Sequence, residues 1–237
     1  WVVCVDFFGL SAAACDRAVA RFGAHRVLVD ASQSLFHAAR PGVSTVYSPR
    51  KFAGLADGGL LATPLAVRAP APADEAASAR RGQHLRTRAN GDVAAGYRQF
   101  QEAEGSLRDC TPQAMSMASS QALDAIDWTR VADRRVANHR VLADALAANG
   151  ILPADLPTGA IPLCCPVPCE QASPVRTRLA SEGVFTAMYW PDAAIPDHDG
   201  LGLRLRDGTL YLPCDQRYDE ADMLGLASVL LRHWGSQ

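Results

Sequence analysis

Of the 23 basic residues in this 237-residue chain, Lys51 is the only lysine; every other one is an arginine. Wherever positive charge alone is wanted, arginine has taken lysine's place. The two differ in chemistry. A guanidinium stays protonated under ordinary conditions, whereas a lysine amine can lose its proton, attack a carbonyl and form an imine. A chance surface lysine is the plain alternative, and the neighbourhood has to decide between them. Lys51 stands in VYSPRKFAGLADGG, and 21 residues before it Asp30 closes the apolar run VLVD. An aspartate ending a strand is more often an N-cap or a ligand for loop N–H groups. Neither residue is decisive alone.

The elements around the pair decide where they stand. VVCVDFF (2–8) is an apolar run suited to a buried strand and closed by Gly9. Ser11 is a plausible N-cap, and Ala12, Cys15, Val19 and Phe22 follow at helical spacing up to Gly23. RVLVD (26–30) is a second buried strand. Strand, helix and strand within about 30 residues make a βαβ unit with parallel strands. Ligands gather at the carboxyl ends of such strands, and Asp30 stands at one. A loop with Pro41 and Gly42 leads into the β-rich STVYS (44–48), directly before Pro49, Arg50 and Lys51.

Beyond the lysine, DGGLLAT (57–63) reads as a turn and a short strand, with Gly58 and Gly59 supplying the turn. Residues 64–92 read as loop and then helix. A helix is expected over 93–109, with Tyr97, Phe100 and Glu104 on one side and Thr111-Pro112 breaking it. From about Asp127 a long helix should run to Asn149-Gly150. After it come a strand (160–168), a helix (173–182), strands at 184–190 and 208–212, and a last helix (219–232) striped by Met223, Leu226, Ala227 and Leu230. The expected division is a larger α/β domain over 1–130, then a linker helix and small α+β domain over 131–237.

Whole-chain properties narrow the function. The net charge is −2, with no dense basic run, which argues against nucleic acid as a partner. No run approaches the roughly 18 apolar residues of a membrane span. The opening WVVCVDFFGL has no signal-peptide pattern and reads as an interior start within a domain. Seven scattered cysteines suit reduced thiols in a cytoplasm. Cys164, Cys165 and Cys169 lie in a Pro-rich apolar run without a knuckle or fourth ligand, so small buried hydrophobes are favoured over a metal site. The six histidines show no triad or metal spacing and are assigned no chemistry.

Aspartate and lysine at sheet ends, 21 residues apart in the sequence, suit pyridoxal phosphate (PLP). The lysine holds the aldehyde and moves protons, and a carboxylate keeps the ring nitrogen protonated so that the ring draws electrons. Four stretches resemble the DegT/DnrJ/StrS aminotransferase family, PLP enzymes of fold type I. They are VLVDASQSLF, YSPRKFAGLADGGLL, GVFTAMYWP and LYLPCDQRYDEADM, which occur in the family's order and span nearly the whole chain. The resemblance implies a partial large domain, with a mixed, mostly parallel sheet, followed by a small C-terminal α+β domain. About a hundred N-terminal residues of the family's length are absent.

By that resemblance Lys51 is the Schiff-base lysine, Asp30 pairs with the pyridinium nitrogen, Gln33 lies against the ring or its hydroxyl, and Ser48 donates to the phosphate. Arg50 is left between an anion contact and a structural ion pair. Asp215, Arg217 and Tyr218 are read as packing and helix capping rather than catalysis. The reaction the resemblance implies is transamination of a nucleotide-linked keto sugar with an amino-acid donor, in a cytoplasmic homodimer. Three alternatives stand beside it. A PLP-dependent sugar dehydratase typically lacks the lysine; a non-catalytic sensor would show no spectral change with PLP; a nucleotide-binding domain would want more glycine than FFGLSAA offers.

Overall fold

A computed structural model describes residues 1–107, 111–196 and 198–234. The chain divides into two compact units, Trp1–Asp127 and Trp128–Gln237.

The first unit is built on a four-stranded sheet in the order β1 (Val2–Val5), β2 (Val27–Ala31), β3 (Ser44–Tyr47) and β4 (Leu60–Ala62). β1, β2 and β3 are parallel, and β4 returns antiparallel to β3. The register sets Val5 opposite Asp30 and Asp30 opposite Val46. Because strand side chains alternate, Val27, Val29 and Ala31 share one face. That face is fully buried, in a cluster with Cys15 of helix α1 (Ala12–Phe22) and with Val43. Asp30 therefore belongs to the opposite face, at the carboxyl end of the sheet.

Four further helices complete this unit: α2 (Glu75–Arg81), α3 (Gln83–Ala89), α4 (Val93–Gly105) and α5 (Met117–Ala125). Aspartates cap two of them, Asp74 on α2 and Asp92 on α4, each accepting a bond from a backbone N–H in the first turn. α4 is shorter than the 93–109 expected; Gly105 is its last residue, and positions 108 and 109 lie outside the described residues. α5, which the sequence reading did not anticipate, is started by Ser116, whose side chain accepts from the Ser119 N–H.

In the second unit α6 (Trp128–Ala147), α7 (Ala172–Ser181) and α9 (Glu220–Trp234) surround the antiparallel pair β5 (Cys165–Pro168) and β6 (Thr209–Leu212), with α8 (Gly200–Asp207) leading into β6. Leu142, Leu146, Leu179, Leu210, Leu212 and Leu230 are fully buried in one core. Cys165, Cys169 and Cys214 sit in the same core, and the six cysteines among the described residues are free thiols. Burial pushes the Cys214 thiol up to about 12. Among the described residues no group of three His, Cys, Asp or Glu could hold a metal ion, and no helix is long and apolar enough to cross a membrane.

Two expected strands change here. The strand expected over 160–168 is confined to Cys165–Pro168. Residues 184–190 form no strand, only a bridge between Ala187 and Tyr211. Tyr189 instead packs its ring edge-on to Tyr211 at 4.9 Å, and Trp190 turns the backbone to φ 53°. A positive φ in a bulky residue breaks a ladder.

LPCDQRY is a packing corner. Arg217 donates to both oxygens of Asp215 at 2.8 and 2.9 Å, and Asn138 of α6 donates to the carbonyls of Asp215 and Tyr218. Asp219 and Asp222 cap α9 reciprocally, each accepting the other's N–H at 3.0 Å.

Candidate active site

The lysine stands one short turn beyond the sheet. β3 ends at Tyr47, Ser48 remains extended, and Pro49–Lys51 form a single 3₁₀ turn closed by the Lys51 N–H on the Ser48 carbonyl at 3.2 Å. Proline at the first position of that turn fixes its φ and gives up no needed donor. Asp30 is in β2, the neighbouring strand, so the two residues leave the sheet at adjacent carboxyl ends.

Lys51 Nζ donates to the Ser32 hydroxyl at 3.3 Å, and the Ser32 N–H donates to Asp30 Oδ1 at 2.8 Å. Ser32 thus bridges the two sequence-selected residues. Lys51 is exposed as a residue, yet enough protein surrounds its amine for burial to be the main influence on it. Burial lowers its pKa; the Asp30 carboxylate opposes this, Arg50 adds to it and Glu104 opposes it, and the net direction is downward. A lowered value favours the neutral amine, the form that attacks carbonyls.

Gln33 is 3% exposed, and its Oε1 has no hydrogen-bond partner. A buried amide oxygen without a donor is costly. It marks a place where a donor from outside the chain would fit. Ser48 is half-buried, and its hydroxyl does not cap the turn it precedes. Arg50 forms an ion pair with Glu104 of α4, while its buried Nε has no hydrogen-bond partner.

The loop after the lysine is anchored from a distance. Asp57 Oδ1 accepts from the Ser116 N–H at 3.2 Å and the Ser116 hydroxyl at 3.0 Å, at the start of α5. Burial raises the Asp57 carboxyl, but hydrogen bonding with Ser78, Ser119 and Ser116 outweighs it and holds the value below the usual range. Gly58 follows at φ +112°, where a Cβ would stand 2.5 Å from the Met115 methyl. The Asp-Gly-Gly run is thus a forced turn.

Sequence reasoning passed over a second layer. Asp6, just past β1, is 1% exposed and accepts from Ser34 Oγ at 2.6 Å, from His37 Nδ1 at 2.7 Å and from the Ser11 N–H at 2.7 Å. The available signal was a second aspartate ending a strand, in VVCVD as in VLVD.

These residues can accommodate a phosphorylated pyridine aldehyde: an amine biased toward its neutral form, a carboxylate at the next strand end, a buried acceptor and a free hydroxyl. No protein-family model matches the sequence, and no curated protein does. Solved structures do match. A DegT DnrJ EryC1 StrS aminotransferase from Brucella abortus superposes with a TM-score of 0.61 at 16% identity, over 99% of this chain. The chain has an aminotransferase fold. Helicobacter pylori PseC, an aminotransferase involved in the biosynthesis of pseudoaminic acid, matches with a TM-score of 0.62 at 11% identity, over 99% of this chain and 67% of its own. DesI, solved in the presence of its TDP-sugar product, matches with a TM-score of 0.55 at 21% identity over 97% of this chain. The present chain spans 64% of the Brucella aminotransferase and 61% of DesI.

Proposed function

We propose that this chain carries the C-terminal part of a PLP-dependent aminotransferase of the DegT/DnrJ/StrS family, which moves an amino group from an amino acid to a nucleotide-linked keto sugar. The observation that carries the proposal is the placement of the sole lysine. Lys51 stands at a sheet end with its amine on Ser32, whose N–H is held by the carboxylate of Asp30. A sugar substrate is supported by the likeness to DesI and PseC.

When bound, PLP supplies an electron sink for the carbanion that forms at the amino-acid α-carbon. The chain's residues do the rest. Lys51 would hold the aldehyde and would carry a proton to and from the substrate α-carbon as a general base and acid. Burial and Arg50 keep the amine available for that work, while Asp30 and Glu104 stop its pKa from falling further. Asp30 would hold a proton on the ring nitrogen, Gln33 Oε1 would accept from the ring hydroxyl, and Ser48 would donate to the phosphate. A homodimer in the cytoplasm belongs to the same reading.

The test is nitrogen transfer. The whole protein with PLP and ¹⁵N-glutamate should release one 2-oxoglutarate per Lys51 site, then place the label on a keto-sugar nucleotide. Full trapping of PLP on Lys51, with no turnover on any amino acid, would contradict the aminotransferase reading.

A further inference from the structure

The strongest polar cluster in the first unit lies behind the Lys51 site. The Asp6 carboxylate is buried at 1% exposure and takes three donors. Ser34 Oγ and His37 Nδ1 bond to one oxygen at 2.6 and 2.7 Å, and the Ser11 N–H bonds to the other at 2.7 Å. The chain of bonds continues outward. His37 Nε2 faces Arg40 at 2.5 Å, and Arg40 pairs with Asp16 of α1, also at 2.5 Å. The tautomer that satisfies both ring contacts donates from Nδ1 and accepts at Nε2.

Two observations join this cluster to the site. The Asp6 backbone N–H donates to the Asp30 carbonyl at 3.0 Å, extending the β1–β2 ladder by one rung. Ser34 and His37 belong to the turn that carries Ser32 and Gln33, itself closed by Ser34 N–H on the Ala31 carbonyl and His37 N–H on the Ser34 carbonyl. Two residues after Asp6, buried Phe8 holds φ 60°, a left-handed conformation that persists only where the surroundings fix it. The segment is over-determined.

We propose that Asp6 is a positioning residue for the Lys51 site: through Ser34 and His37 it holds the 31–37 turn so that the Ser32 hydroxyl stands against the lysine amine. The inference rests on reading Lys51 as the cofactor lysine. Asp6 touches no substrate. Burial would raise its carboxyl, but the bonds from His37, Ser34 and Ser11 more than offset this and keep it ionised as their common acceptor.

Because Lys51 is the only lysine, acylation of its amine by a neutral reagent can be followed by mass spectrometry without any cofactor. Asp6→Asn turns two acceptor sites into an amide that cannot satisfy three donors, while Ser34→Ala removes one bond and keeps the experiment alive should the first variant fold poorly. Asp30 stays in the β2 ladder, so opening the turn removes protein from around the amine and relieves the burial that lowers its pKa. The labelling midpoint should then move up by about half a pH unit or more toward an ordinary lysine. PLP binding to the whole protein should weaken by about tenfold, the scale seen when a supporting shell is loosened. A merely structural role would lower the melting temperature and leave the labelling profile in place. An unmoved or lower midpoint in both variants would overturn the proposal. A moved midpoint in a protein that never binds PLP would uphold the positioning role and sink the cofactor reading instead.

Discussion

At the scale of single residues, the site is a balance of charges around one amine. Asp30 and Glu104 raise the Lys51 pKa, while burial and Arg50 lower it. Asp30→Asn and Glu104→Gln should therefore each move the pH midpoint of Lys51 acylation downward, Asp30→Asn by more. An upward shift in either variant would contradict that ordering. Asp6 provides a second residue-scale prediction, on stability. Its folded pKa lies below the ordinary 3.8, so its contribution is complete above that value and is lost as pH falls through the lower one. Asp6→Asn should flatten the acid limb of stability measured by urea unfolding between about pH 5 and pH 2. An unchanged limb would show that the network contributes nothing. Lys51 and Asp30 were legible because their residue types and strand-end positions are written locally. His37 was not: a histidine on a turn seven residues past Asp30 has no spacing that distinguishes it from a surface ring. Only the fold brings it to Asp6.

At the scale of elements, the parallel strands and α1 followed from apolar periodicity and from Gly23 at the helix end, where the backbone takes φ 85°. The short helices α5 and α8 were missed, since each announces itself only by its cap, Ser116 or Asp199, without a long apolar stripe. The 184–190 segment has strand-like composition, but the Tyr189 ring packs on Tyr211 and the backbone bends at Trp190. Turn chemistry can be tested directly. Gly58→Ala places a Cβ at φ +112° and against Met115, and should destabilise the protein by more than about 1 kcal/mol. In the second unit Leu179→Ala removes a fully buried side chain and should cost about 2–5 kcal/mol, measured by denaturant unfolding. A cost below about 0.5 kcal/mol would place Leu179 outside a packed core.

At the scale of the whole molecule, the first unit brings the sequence-selected residues to neighbouring strand ends. The chain as a whole has an aminotransferase fold while sharing 11–21% of its residues with the solved structures compared above. At that distance the fold is set by patterning and turn chemistry, and function has to be argued from the site. The central claim is that Lys51 binds PLP. The direct measurement is an absorbance titration of the whole protein with PLP, followed by borohydride reduction and peptide mapping beside Lys51→Ala. The account predicts a band near roughly 410–430 nm, trapped by reduction on the peptide that contains Lys51 and absent from the variant. A well-folded protein with no band, or one whose reduced cofactor maps only to the chain's amino terminus, would contradict it.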